Sequence, residues 1–69
     1  MARFLSSGDL IADRRFEYAR ELEGRGDLAG AADLYAQATE LAPGFASAWI
    51  ALGDVRRKLD DPAVATAAW

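Results

Sequence analysis

The stretch GDLAGAADLYAQATELAPG occupies residues 26–44 and contains one helix together with its start and stop signals. Asp27 is a favourable N-cap, because a carboxylate accepts hydrogen bonds from free N–H groups in the first turn. Pro43-Gly44 breaks a helix. Between these signals, small and apolar residues recur at helical spacing: Ala31, Leu34, Tyr35, Ala38 and Leu41. The stretch therefore predicts a helix over residues 28–41.

Similar signals divide the rest of the chain. Asp9 is a good cap for a first helix, and Gly24 and Gly26 end that helix. Asp61-Pro62 signals a new helix, since proline is tolerated at the first helical position. No segment alternates polar and apolar residues as a half-buried strand would. The sequence therefore predicts an all-α protein with helices near residues 9–24, 28–41, 46–59 and, shortest, 62–69.

The sequence repeats itself after 34 residues. At that shift, large residues align with large ones, small residues with small ones, and the acidic cap recurs. Six matches in one register, all at positions that matter for packing, indicate a helical repeat. The matches are Phe16 with Ile50, Tyr18 with Leu52, Ala19 with Gly53, Asp27 with Asp61, Ala31 with Ala65, and Tyr35 with Trp69.

The repeat has a physical interpretation. Two antiparallel helices approach closely only where their side chains are small, so we expect close contacts at Ala19, Ala31, Gly53 and Ala65. Large side chains should fill the spaces between successive helices, and Tyr18, Leu52, Tyr35 and Trp69 are the candidates. Two further side chains are expected to face inward, Ile11 on the first helix and Trp49 on the third.

The pattern resembles the tetratricopeptide (TPR) family. The second copy shows Trp49-x-x-Leu52-Gly53, and the first copy shows Gly26-Asp27, Ala31, Tyr35, Ala38 and Pro43. Arg15, Arg56 and Asp60 depart from the family pattern. The resemblance implies a TPR-like array of antiparallel helical hairpins with about one and two-thirds repeats. Residues 1–11 would be a lead-in, residues 12–45 the first repeat, and residues 46–69 an incomplete second repeat.

The resemblance also implies a binding site for a protein or peptide. In TPR proteins the first helix of each repeat lines a concave groove. Phe16 and Ile50 are interpreted as lying off the main packing face, where they would anchor a peptide, while Arg20 and Arg57 would pair with its acidic groups. The alternative is an ordinary solvated helix face with ion pairs such as Glu21–Arg25 and Asp54–Lys58. The predicted groove residues are Asp13, Phe16, Arg20, Glu23, Ser47, Ile50, Asp54 and Arg57.

A narrower resemblance concerns residues 6–15. Their sequence is similar to the N-terminus of bacterial proteins that join TPR repeats to a methyltransferase domain. This resemblance implies a second function, a regulatory or recognition segment of an S-adenosylmethionine-dependent methyltransferase whose catalytic domain is not in this chain. The excess of arginine over lysine also favours a bacterial source.

Self-association is a further expectation. Repeat proteins usually need about three repeats and a polar cap to bury their apolar faces. This chain has fewer than two repeats, so we expect either that it is a fragment or that a second copy completes its core, with a dimer favoured. The predicted contact residues are Val64, Ala68 and Trp69.

Composition disfavours other classes of function. The chain has 69 residues, a net charge of −3, and neither cysteine nor histidine. The charge disfavours nucleic acid, the absence of both residue types disfavours a transition metal, and no apolar run could cross a membrane. Carboxylate pairs such as Asp13–Glu17 have no shielded pocket in which to act as acid and base. We therefore predict a cytoplasmic binding module that is not an enzyme and has no cofactor.

Overall fold

The computed structural model describes residues 8–61, which form three helices and no strand. The helices are α1 (Leu10–Gly24), α2 (Leu28–Leu41) and α3 (Ala46–Asp60). The predicted all-α class is confirmed, and the predicted bounds of these helices are correct to within one residue. The described residues hold three helices rather than the predicted four, because residues 62–69 lie outside them.

Aspartate caps begin the first two helices. Asp9 Oδ1 accepts hydrogen bonds from the backbone N–H groups of Ile11 (2.9 Å) and Ala12 (3.2 Å). Asp27 Oδ1 accepts one from the N–H of Gly30 at 2.9 Å. Each bond satisfies a backbone donor that has no partner inside the helix, and such a cap stabilises a helix by about 1 kcal/mol.

A glycine-dependent turn joins α1 to α2. Gly26 has φ +88°, and its N–H donates to the carbonyl of Glu23 at 3.0 Å. The N–H of Asp27 donates to the carbonyl of Leu22 at 2.9 Å. This pair of bonds is the Schellman arrangement, which satisfies the last carbonyls of a helix. The same turn places Asp27 at the start of α2, so one short segment ends a helix and begins the next.

The core lies where α2 packs against both α1 and α3. Ala19 of α1 and Ala31 of α2 are fully buried in one cluster, which also contains Tyr35, Leu52 and Val55. Both alanines were predicted to lie where helices approach closely, and both are buried in the core. A second cluster surrounds the α2–α3 connection and contains Ala12, Ala38, Ala42, Phe45 and Ala48.

Phe16 is partly buried and packs against this core. Its ring centroid lies 5.5 Å from that of Tyr35 and 5.0 Å from that of Phe45, and it packs against both clusters. The interpretation that Phe16 lies off the main packing face is therefore wrong. The reason is that Phe45, in the α2–α3 connection, lies beside α1 and gives Phe16 an aromatic neighbour.

Several large residues expected to be buried are exposed. Tyr18 is 54% exposed, Ile11 is exposed, and Trp49 is half exposed with its indole N–H donating to the carbonyl of Pro43 at 2.7 Å. An added Cβ at Gly53 would meet no described atom within 4 Å; its expected close contact with Ala65 stays a prediction, because Ala65 lies outside residues 8–61. The expectations for Ile11, Tyr18 and Trp49 are wrong, because at least half of each side chain is open to solvent instead of packed between helices.

We expect Gly26→Ala to lower the free energy of unfolding by about 1–2 kcal/mol, because a side chain at positive φ clashes with its own backbone. Gly24→Ala is the matched control. Gly24 ends α1, and an added Cβ would meet nothing within 4 Å. That change should be neutral or stabilising by up to about 1 kcal/mol. Urea denaturation followed by circular dichroism measures both, and equal effects at the two positions would contradict the role of the turn.

Candidate functional site

Five of the eight predicted groove residues line one open depression of about 600 Å³. α1 contributes Glu23 at its C-terminal end, and α3 contributes the other four along its length. The side chain of Ile50 is 73% exposed, so it offers apolar surface at this site. The full lining is Glu23, Ser47, Trp49, Ile50, Ala51, Gly53, Asp54 and Arg57.

The other three predicted groove residues do not line the depression. The Phe16 ring packs against the rings of Tyr35 and Phe45 instead of lining the depression. Arg20 is exposed, and its guanidinium lies 6.0 Å from the centroid of the Phe16 ring. Asp13, two turns before Arg20 on α1, is partly buried. The structure therefore brings together the α3 half of the predicted set with Glu23, and separates Asp13 from it.

A charged network crosses the depression from α1 to α3. Lys58 Nζ lies 3.2 Å from Glu23 Oε2 and 3.3 Å from Asp54 Oδ2. Arg57 lies 2.6 Å from Asp54 Oδ1. The hydrogen bond to Glu23 is the main cause that raises the pKa of Lys58 above its ordinary value, and the hydrogen bond to Asp54 is the second. The network therefore neutralises both carboxylates of the depression with cations from α3.

The same network reaches into the core through Tyr35. The Tyr35 hydroxyl donates to Glu23 Oε1 at 2.8 Å, and the residue is 1% exposed. Burial raises the pKa of this hydroxyl above its ordinary value, and the hydrogen bond and negative charge of Glu23 raise it further. The positive charge of Arg20 acts in the opposite direction, which places Arg20 within electrostatic range of this hydroxyl.

The sequence pattern did not predict that Tyr35 and Lys58 belong to this site. Tyr35 was assigned to packing, and Lys58 only to an ion pair with Asp54. That pair is present, as is the long Glu21–Arg25 pair at 4.0 Å. Glu23 and Lys58 are 35 residues apart, and no local sequence signal links them. Their contact depends on how α1 and α3 pack around α2.

The arrangement can accept an apolar group of a partner. An exposed apolar side chain lies among charges that already compensate one another, and the depression is open to solvent.

Within residues 8–61, no group of carboxylates is arranged to hold a metal ion. In the same range, no helix is both long and apolar enough to cross a membrane. The predicted self-association residues Val64, Ala68 and Trp69 lie outside the described residues, so that expectation stays a prediction.

An antiparallel array of helices with an open, partly apolar depression defines a helical-repeat binding module. The family model described as tetratricopeptide repeat matches residues 12–55, more than half of the chain. The chain therefore belongs to the TPR family, whose repeats generally mediate protein–protein interactions. No curated protein and no solved structure matches it. The narrower methyltransferase resemblance stays a prediction.

We expect Phe16→Ala to lower the free energy of unfolding by about 2–3 kcal/mol, because it removes a ring packed against both core clusters. Ile50→Ala, at the equivalent position of the second copy, should change it by less than about 0.5 kcal/mol, since Ile50 is exposed. Urea unfolding followed by circular dichroism measures both variants. Similar losses at the two positions would show that Phe16 does not have the core role described above.

The free energy of unfolding should fall as the pH rises above about 10, the ordinary pKa of tyrosine. The folded state retains the Tyr35 proton at a pH where the unfolded chain releases it, so alkali favours unfolding. The raised pKa of Lys58 also lowers the free energy of unfolding at alkaline pH. Its bonds to Glu23 and Asp54 stabilise the folded state below the pKa that this lysine has in the unfolded chain. That stabilisation is lost as the pH rises through the higher pKa of the folded state.

Tyr35→Phe removes the tyrosine contribution to this pH dependence. The free energy of unfolding of the variant should therefore fall less steeply above pH about 10 than that of the wild type. The variant should also be about 1 kcal/mol less stable at neutral pH, because the hydrogen bond to Glu23 is lost. Tyr18→Phe removes a hydroxyl outside the network and is the matched control. Urea midpoints at neutral and alkaline pH test this, and identical pH slopes for the wild type and Tyr35→Phe would contradict it.

Proposed function

We propose that this chain is a TPR-type interaction module that binds a protein or peptide segment at the depression between α1 and α3. The observation that carries the proposal is the exposure of Ile50 among Glu23, Asp54 and Arg57. A large apolar side chain in such a setting is a suitable anchor for a partner side chain.

The exposed side chain of Ile50 leaves apolar surface in contact with water. Covering an apolar side chain contributes about 25 cal/mol per Å² of surface removed from water. The charges around Ile50 are held by contacts within the chain, so an apolar partner side chain can reach it without leaving a charge unpaired. Charged groups at the edge of an interface mainly govern association rate and selectivity.

The shape of the site supports a short and weakly bound partner segment. Binding surfaces that hold a partner firmly bury roughly 800 Å² on each side. The depression is open to solvent, and its large exposed apolar side chains are Ile50 and the half-exposed Trp49. We therefore propose a transient interaction with an extended or helical segment, in which one apolar residue of the partner packs on Ile50.

Ile50→Ser should weaken binding of a short, fluorescein-labelled peptide with a central leucine by about tenfold, since it removes most of the anchor's apolar surface. Fluorescence anisotropy with the full chain measures the dissociation constant. Because Ile50 is exposed, the variant should unfold at nearly the same urea concentration as the wild type.

Ile11→Ser is the matched control for this experiment. Ile11 is also an exposed isoleucine, but it lies on α1 and does not line the depression. Binding should be unaffected by this change. Equal affinities for the wild type, Ile50→Ser and Ile11→Ser would overturn the proposed site.

A further inference from the structure

Two exposed apolar side chains of α1 lie outside the depression. Ile11 and Tyr18 are 55% and 54% exposed, and neither lines the depression. Because they are seven residues apart, they lie on the same side of the helix, two turns from each other. This side of α1 is therefore an apolar surface that residues 8–61 leave open to water.

The 34-residue repeat shows what covers the equivalent position of α3. Tyr18 corresponds to Leu52, which is 2% exposed and shares a core cluster with Ala31 and Tyr35 of α2. The helix that comes before α3 in the chain therefore helps to bury Leu52. Within residues 8–61 no helix comes before α1, so Tyr18 lacks the cover that α2 gives to Leu52.

The chain contains a second segment whose sequence matches α2. At the same shift, Ala65 corresponds to Ala31 and Trp69 to Tyr35. In α2 this pair of a small and an aromatic side chain lies in a cluster to which α1 and α3 both contribute. A helix with this pattern therefore packs between two others, one before it and one after it in the repeat. Residues 62–69 follow α3, so the helix that comes after them in the repeat pattern is of the α1 type.

We propose that α1 of one copy binds residues 62–69 of a second copy, with Tyr18 packed against Ala65 and Trp69. The contact repeats between copies the contact that α2 and α3 make within one chain. The two copies use different surfaces, so the contact is heterologous and joins chains head to tail. This surface is separate from the depression and does not depend on the function proposed above.

The contact between copies should be weaker than the contact between α2 and α3. Val55, which is fully buried in the same cluster as Leu52, corresponds to Glu21 on α1. The side chain of Glu21 is 65% exposed, and covering a charge costs free energy. We therefore expect association that depends on protein concentration.

Tyr18→Glu should raise the dissociation constant of self-association by at least about tenfold, because it places a charge in an apolar contact. Sedimentation velocity over a concentration series of the full chain measures this constant. The urea midpoint should change little, since Tyr18 is exposed. A wild type that remains a monomer at all concentrations, or a variant that associates like the wild type, would overturn the proposal.

Ile11→Glu is the matched control on the same side of α1. Ile11 corresponds to Phe45, which lies in the other core cluster with Ala38 and Ala42. The counterparts of those two alanines are not within residues 62–69, so Ile11→Glu should leave self-association unchanged. Equal losses for the two α1 variants would overturn the assigned contact.

A mixing experiment tests the head-to-tail arrangement. Tyr18→Glu disables the α1 surface, and Trp69→Ala disables the segment that binds to it, so each variant alone should associate weakly. In an equimolar mixture, the intact segment of the first variant can bind the intact α1 of the second, and a dimer should form that does not grow further. A mixture that associates no better than the separate variants would show that the chains do not join head to tail.

Glu21→Val should give a gain. It places on α1 the residue found at the equivalent position of α3, so self-association should become about tenfold tighter. Circular dichroism should show the same helix content as in the wild type. Unchanged or weaker association would contradict the proposed contact.

Discussion

The contact of Phe16 with Tyr35 and Phe45 is the interaction on which the rest of the structure depends. The three rings come from α1, α2 and the residue that precedes α3, with centroid distances of 5.5 and 5.0 Å. Phe16 packs against both core clusters, so it joins a core otherwise rich in alanine. A small domain with few large buried side chains is sensitive to each of them, and within residues 8–61 the buried side chains larger than alanine are those of Tyr35, Thr39, Phe45, Leu52 and Val55.

Tyr35 connects this core to the surface. Its ring packs on Phe16, while its hydroxyl donates to Glu23, whose other oxygen holds Lys58 of α3. The orientation of three helices and the charge balance of the depression are therefore set by one chain of contacts. Burial strengthens such a network, because a polar group removed from water needs its hydrogen-bond partner.

The two copies of the repeat use equivalent positions in different ways. Leu52 is buried while Tyr18 is half exposed. The reason is that α2 packs against different faces of α1 and α3. Ile50 is exposed, whereas Phe16 at the equivalent position of the first copy packs against the core. Of these two positions, only the one on α3 therefore offers an apolar anchor.

The sequence by itself determined the three helices, the Asp27 cap, the turn at Gly26 and the burial of Ala19 and Ala31 in one core cluster, because each depends on neighbouring residues or on the spacing of small side chains. It also determined the repeat family. Only the tertiary structure decided that Phe16 lies in the core, that Trp49 and Tyr18 are exposed, and that Lys58 reaches Glu23. Those outcomes depend on which helix covers which face and on contacts between side chains 35 residues apart. Local patterns of polarity carry no information about either.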